Sequence, residues 1–308
     1  MRVICIGECM AELRQVNRGL YALGFAGDAF NAAVYLKRSA PQARVDFLTA
    51  TGESSLSRAM RECFAAEGVE DVLAFIAKDR EIGLYMIELD AAGERRFHYW
   101  RSASAARCWL GLLMENGGAA RLAGADLVCL SGVSLAILPD DEARAAAIEF
   151  LGSLKDHVGK IAFDANLRPA LWRNLDAART AIAPMIRLAD IFRASGEDVA
   201  LLTGAREPEI QIGALRAGGA REIALTLGGQ GCIVATKDGA AALPALAVKV
   251  KDTSGAGDAF TGVYLAARLS GAAPVDAAEA ALEVASRVVT SPGALASREI
   301  SHPKATPC

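Results

Sequence analysis

The chain has 308 residues, long enough for one large domain or two smaller ones of roughly 100 to 200 residues each. Hydrophobic residues make up 53%, charged residues 22% and aromatics 6%, with a mean hydropathy of +0.26, so the bulk is folded and its apolar mass comes from Ala, Leu, Val and Ile rather than from rings. The formal charge of −3 comes without a block of like charges, which excludes an electrostatic footprint for nucleic acid, and the longest uncharged run, 223–236, has 14 residues, short of the roughly 20 that span a bilayer.

Residues 1–14 hold Glu8 and Glu12 and lack the basic, apolar, small-residue order of a signal peptide, so the mature start is expected at Met1. Short apolar runs then alternate with longer Ala-rich segments of helical periodicity, the pattern of βα units around a mostly parallel sheet. Strands are predicted at 3–6, 44–48, 127–130, 161–164, 191–193, 222–226 and 231–235, most of them continuous apolar runs suited to burial on both faces. Helices are predicted at 29–38, 55–67, 141–157, 177–188, 257–270 and 274–289. One region differs: 83–89 and 95–101 read as two strands around the turn-forming Asp90, Ala91, Ala92 and Gly93, a β-hairpin expected to form part of a lid over the end of the main sheet. The end, 302–308, reads as a loose tail.

Cys5, Cys9, Cys63, Cys108, Cys129, Cys232 and Cys308 are odd in number, scattered and never in a C-x-x-C pair. This argues against a disulfide framework or zinc site and for reduced cytoplasmic thiols. His98, His157 and His302 are equally dispersed, leaving no two-His metal site and no Ser/His/Asp arrangement.

The strongest chemical signal is Asp252-Thr253-Ser254-Gly255-Ala256-Gly257-Asp258-Ala259-Phe260, followed by a helical pattern through Ser270. Three small residues and an acid at a helix start aim several backbone N–H groups at one point, an anion site reinforced by the helix dipole. Asp258 is expected to stay ionised there and, beside a phosphate, to accept a proton from an attacking hydroxyl. A bare G-x-G-D is more often an ordinary cap with glycines for a tight turn.

The longer string resembles the C-terminal signature, Asp-Thr-x-Gly-Ala-Gly-Asp-x-Phe, of the ribokinase-like (PfkB) family of carbohydrate kinases. The family's other signature, Gly-Gly-Asp-x-x-Asn-x-Ala, is matched by residues 26–33, with Ala26 replacing the first glycine. The two stand in the expected order, about 230 residues apart, and the resemblance covers essentially the whole chain. It implies a single α/β domain, 1–308, of ribokinase-like fold, with a mostly parallel sheet, helices on both faces, and a small β-lid formed from about 9–25 and 72–105. It also implies ATP and Mg2+ as cofactors, a monovalent cation near Asp252, and a homo-oligomer formed through the lid. Asp258 would be the catalytic base, Gly255, Ala256 and Gly257 the anion hole, and Gly27, Asp28 and Asn31 the sugar pocket. Apart from the family, Asp28 and Asn31 read as an N-cap and first-turn pair.

Tyr99 and Arg101 are two residues apart on one strand and share a face, to which Tyr85 of the partner strand can add, while His98 and Trp100 point the other way. Residues 97–107 resemble the corresponding stretch of 2-keto-3-deoxygluconate kinases. Arg168, in Phe163-Asp164-Ala165-Asn166-Leu167-Arg168-Pro169, follows a core strand at its carboxyl end, where open α/β sheets place ligands. Two arginines converging on the pocket suit an acidic sugar through bidentate contact with its carboxylate, whereas a neutral sugar would leave buried guanidinium groups unpaired. Taken alone they read equally as surface ion-pair partners.

For the nucleotide, Thr226-Leu227-Gly228-Gly229-Gln230-Gly231 is a hairpin turn by itself and, by resemblance, borders the ATP phosphates and ribose. Ser195-Gly196-Glu197-Asp198 stands where the family has Asn-x-x-Glu, which organises magnesium through water. Ser195 and Asp198 hold the end positions, Glu197 is a substitute acid, and no direct metal ligand is implied. Asp198 reads equally as a helix N-terminal acid. The adenine pocket is expected near 286–293. Neither G-x-x-x-x-G-K-[ST] nor a G-x-G-x-x-G after the first strand is present, which sets aside Walker A and dinucleotide-binding readings. The resulting expectation is phosphorylation of 2-keto-3-deoxygluconate. The alternatives are another sugar acid or keto-sugar such as 5-dehydro-2-deoxygluconate, a neutral sugar such as fructose, or a silent sugar-binding sensor on the same fold.

Overall fold

Runs rich in Val, Ile and Ala cannot leave either sheet face in water, and they assemble centrally in the computed structural model, which describes residues 1–17, 19–89 and 95–298. The strands are β1 (Arg2–Ile6), β2 (Met10–Asn17), β3 (Leu20–Ala26), β4 (Arg44–Thr51), β5 (Ala74–Ile76), β6 (Leu84–Leu89), β7 (Arg95–Trp100), β8 (Leu127–Ser131), β9 (Ile161–Asp164), β10 (Ile191–Ser195), β11 (Glu222–Thr226), β12 (Cys232–Thr236) and β13 (Gly239–Leu243). The α-helices are α1 (Asp28–Ser39), α2 (Ser55–Ala66), α3 (Trp109–Glu115), α4 (Gly132–Ala136), α5 (Asp141–Ser153), α6 (Leu175–Leu188), α7 (Gly196–Thr203), α8 (Pro208–Ala217), α9 (Ala256–Leu269) and α10 (Pro274–Val288).

A nine-stranded sheet runs β13-β12-β11-β10-β9-β8-β1-β4-β5, parallel from β11 to β5, with β12 antiparallel to both of its neighbours. A separate four-stranded sheet, β3-β2-β6-β7, is antiparallel at both ends and parallel at β2/β6. The predicted α/β class, seven core strands and six helices are all present, and β6 pairs with β7 as the hairpin. The turn at 90–93 and the tail at 302–308 lie outside the described residues.

Elements that periodicity did not give are short or of mixed pattern. β5 has three residues, β13 is Gly-Ala-Ala-Ala-Leu with weak strand preference, and α4 has five residues, all buried. The predicted 141–157 helix stops at Ser153, where the N–H of Leu154 turns back to Leu151 O at 3.2 Å.

The two sheet faces hold separate cores. On one, Phe30 of α1 packs against Phe64 and Phe47 at ring-centroid distances of 4.7 and 5.7 Å. Cys5 and Cys129 are opposite residues of neighbouring strands with Sγ atoms 3.0 Å apart, and like the other described cysteines they are free. No helix among the described residues is long and apolar enough to cross a membrane. On this same face α1 and α9 cross closely: a Cβ on Gly262 would lie 2.4 Å from Ala32 O and 2.8 Å from Leu36 N.

Gly262→Ala is therefore expected to push the two helices apart and destabilise the chain by about 1–3 kcal/mol, read as a lower urea midpoint. An unchanged midpoint would show that the crossing has room to spare.

Candidate active site

The parallel strands β8, β9 and β10, together with β11, end on Ser131, Asp164, Ser195 and Thr226, so four polar side chains line one carboxyl edge. The N-terminus of α1 is brought to the same edge. Asp28 Oδ2 accepts hydrogen bonds from Ser131 Oγ and Asn166 Nδ2, both at 2.6 Å. Asn166 has a φ of +28°, rare outside glycine, and is held by its N–H on Asp164 Oδ1 at 3.1 Å. Asp28 is thus no helix cap. Gly27 holds that position, with no side-chain capping bond, and it must be glycine because a Cβ there would lie 2.1 Å from Glu8 O. Asn31, one turn on, donates from Nδ2 to Asp258 Oδ2 at 2.7 Å. Asp28 and Asn31, more than 220 residues before Asp258 in sequence, form one cluster with it.

The glycine string forms the start of α9. Gly255 takes a φ of +73° at the N-cap, with Ala294 O filling the space a Cβ would need. Ala256, Gly257 and Asp258 follow in the first turn, whose N–H groups have no acceptor within the helix. That of Ala256 makes only a long 3.3 Å bond to Thr253 O. The positive end of the α9 dipole therefore faces the crevice.

Contrary to the expectation that the helix start keeps Asp258 ionised, its pKa is pushed up to about 7. Burial is the largest cause, and the Asp28 and Asp164 carboxylates add to it. The Asn31 hydrogen bond and the Arg168 charge pull the other way but do not win. Desolvation and like charge here outweigh a partial helix charge.

Beside the anion site lies a cavity of about 1160 Å³. Of the residues predicted for the nucleotide, Ser195, Thr226, Gly228, Gly231 and Gly257 line it, with Glu197; Gly229 and Gly255 are not among its lining residues, nor is any of 286–293. Its apolar wall comes instead from α10, at Leu282 and Ala285. Ser195 and Asp198 form a capping box on α7: Ser195 Oγ accepts from the N–H of Asp198, and Asp198 Oδ2 from that of Ser195, each at 3.0 Å. Asp198 Oδ1 accepts from the Leu167 N–H, also at 3.0 Å, so both oxygens are engaged by backbone and Glu197 is the exposed acid of the segment.

On the other side, Tyr85 and Tyr99 are cross-strand partners with rings 5.8 Å apart, and the Arg101 guanidinium stacks 5.9 Å from the Tyr99 ring centre. His98 and Trp100 lie together on the opposite face, 6.5 Å apart. Tyr85 donates its hydroxyl to Glu12. Arg101 is ion-paired with the buried Glu8, whose carboxyl also accepts from Ser104. Burial pushes the Glu8 carboxyl pKa upward despite Arg101. A neutral sugar would therefore not leave Arg101 unpaired, contrary to expectation: Glu8 is already its partner. Arg168 is exposed, in the loop after β9, and its charge acts on Asp258.

Sequence reasoning missed Glu8, Glu12, Ser131, Asn166 and Arg193. Arg193 is 9% exposed on β10. Its signal was a charge inside an apolar strand, a residue type almost never buried unless paired.

Residues 1–300 match the pfkB family carbohydrate kinases, and the chain belongs to that family. It is 36% identical over 300 residues to the 2-dehydro-3-deoxygluconokinase of Dickeya dadantii (strain 3937), covering 95% of this chain and 96% of that one. It is 35% identical over 304 residues to the enzyme of the same name from Escherichia coli (strain K12), covering 97% and 98%. Among solved structures, aminoimidazole riboside kinase from Salmonella enterica, complexed with aminoimidazole riboside and an ATP analog, shares the fold with a TM-score of 0.83 at 24% identity, over 98% of this chain and 96% of that chain.

The Asp258 environment sets a pH dependence. Activity is expected to rise with pH through the region of about 7 as Asp258 ionises. Asp28→Asn removes a like charge and should move that limb of kcat/KM to lower pH, besides weakening sugar binding. A limb that stays put in Asp28→Asn would rule out Asp258 as the group responsible.

Proposed function

We propose that the chain transfers the γ-phosphoryl group of ATP to the terminal hydroxyl of 2-keto-3-deoxygluconate, giving the 6-phosphate. The observation that carries this reading is the meeting of Asp258, the start of α9 and the Asp28/Asn31 pair beside a nucleotide-sized cavity. The identity to two 2-dehydro-3-deoxygluconokinases supports the choice of sugar.

In this reading Asp28 and Asn31 receive sugar hydroxyls, and Tyr85, Tyr99, Arg101 and Arg168 meet the other end of the molecule, the arginines at its carboxylate. Ionised Asp258 takes the proton of the terminal hydroxyl; the freed oxygen forms its bond to the γ-phosphorus as the bond to ADP breaks. A base with a pKa near working pH combines a useful ionised fraction with real proton affinity. The N–H groups of residues 255–258 stabilise charge on the phosphoryl oxygens. Mg2+ arriving on the nucleotide would neutralise phosphate charge, with Glu197, which lines the cavity, the acid that would reach it through water.

The small sheet serves as the lid of a single domain and excludes water when closed. It exposes Val16, Leu20, Leu23 and Trp100, apolar surface that pairing of two copies through their lids would cover. Free thiols among the described cysteines support a cytoplasmic setting for the reaction.

A coupled assay of ADP release with 2-keto-3-deoxygluconate, fructose and ribose tests the whole reading. The sugar acid is expected to be preferred, and Asp258→Asn to lower turnover about 100- to 10,000-fold. Arg168→Ala, at an exposed position, should raise KM for the sugar acid about 10- to 100-fold without loss of fold. A preference for fructose indifferent to Arg101→Ala and Arg168→Ala would overturn the carboxylate assignment; binding without ADP release above the Asp258→Asn background would overturn the kinase.

A further inference from the structure

Arg193 takes no part in the steps above, yet its buried side chain reaches the start of α9 from behind the anion site. Its Nη1 bonds both carboxylate oxygens of Asp164, at 2.9 and 3.2 Å, and its Nη2 donates to Thr226 Oγ1 at 2.9 Å. Its Nε is buried and has no partner among the described residues. The same Nη2 lies where α9 begins: a Cβ on Gly257 would stand 2.9 Å from it, so glycine at this position is what lets the guanidinium reach the helix. Asp164 in turn accepts from Thr261 Oγ1 at 2.8 Å, and that hydroxyl is 3.0 Å from Gly257 O. Arg193, Asp164 and Thr261 therefore bind the first turn of α9 to the ends of β9 and β10. Arg193 also lines the large cavity together with Thr226, Gly228 and Gly257.

We infer that Arg193 is a positioning residue for phosphoryl transfer, fixing the first turn of α9 from beneath and setting a full positive charge behind the backbone anion site. The inference rests on the kinase reading of the site. Backbone dipoles supply only fractional charge, and the edge already gathers the carboxylates of Asp28, Asp164, Asp198 and Asp258 before any phosphate enters. A formal cation with a fixed fork meets both needs at once. Burial alone would lower the pKa of Arg193, but Asp164 more than offsets it, with Asp198 and Asp258 adding, so the charge is kept. The groups acting on Asp258 are Asp28 and Tyr35 from α1, Asp164 and Arg168 from β9 and its loop, and Arg193 from β10.

Three variants of the full chain test this: Arg193→Met, Arg193→Lys and the double Asp164→Asn/Arg193→Met. In Arg193→Met, kcat should fall about 100-fold while KM for the sugar changes by less than about threefold, and the acidic limb of the pH profile should move to higher pH because Asp258 has lost a neighbouring cation. Arg193→Lys keeps the charge and should return the limb to its parental position, recovering about tenfold of the lost rate, since an ammonium cannot reproduce the fork. The double variant removes the carboxylate that Arg193→Met would leave uncompensated, so it should melt near the parent and still be about 100-fold slow. Parental kcat in the double variant would show that Arg193 merely neutralises Asp164 and would overturn the inference. An unshifted limb in a folded Arg193→Met would overturn it too. Should Arg193→Met not fold, the double variant decides. An inactive parent would instead refute the kinase reading itself.

Discussion

The close crossing of α1 and α9 is the constraint on which the site depends. Gly262 lets the two backbones approach until the space for a side chain is gone, and this brings the two helix starts to one edge of the sheet. Asn31 can then reach Asp258, and Tyr35, farther along α1, ties its hydroxyl to Ala294 O at 2.8 Å and to the N–H of Ala296 at 3.0 Å. Ala294 is also the residue against which Gly255 is pressed. One helix contact thus helps to order both Asp258 and the loop against which Gly255 packs. A wider crossing would loosen these contacts together.

The chemistry then follows from charge balance. Four carboxylates, those of Asp28, Asp164, Asp198 and Asp258, crowd the sheet edge. Each costs free energy to bury, and the structure meets that cost unevenly. Asp28 is satisfied by two neutral donors, Asp198 by backbone N–H groups and Asp164 by Arg193 and Thr261. Among the described residues Asp258 has the single Asn31 bond, and it is the one whose pKa rises to about 7. The least compensated acid is the one suited to accept a proton.

Strand and helix order was legible in the sequence because burial on both faces demands unbroken apolar runs, and the glycine string was legible because only small residues allow an anion so close to backbone. The cluster of Asp28, Asn31 and Asp258 was legible only through resemblance; locally, Asp28 looked like a cap. What stayed hidden depended on distant partners. Nothing near Glu8 in sequence marks it as the counterion of Arg101, 93 positions away, and the proton affinity of Asp258 is raised by burial first, then by Asp28 and Asp164 from across the fold. The departure from Asn-x-x-Glu at 195–198 could be read as present, but not that Ser195 and Asp198 would satisfy each other.

The joint between the two sheets is very short. β3 ends at Ala26, Gly27 alone separates it from α1, and Arg101 follows directly on β7, where Glu8, between β1 and β2, grips it. Such a connection has no slack. A tilt of the small sheet acts as a lever on the end of α1, and Asp28 rides on the short arm. The positions of Arg101 and Asp28 are therefore coupled through this one short joint.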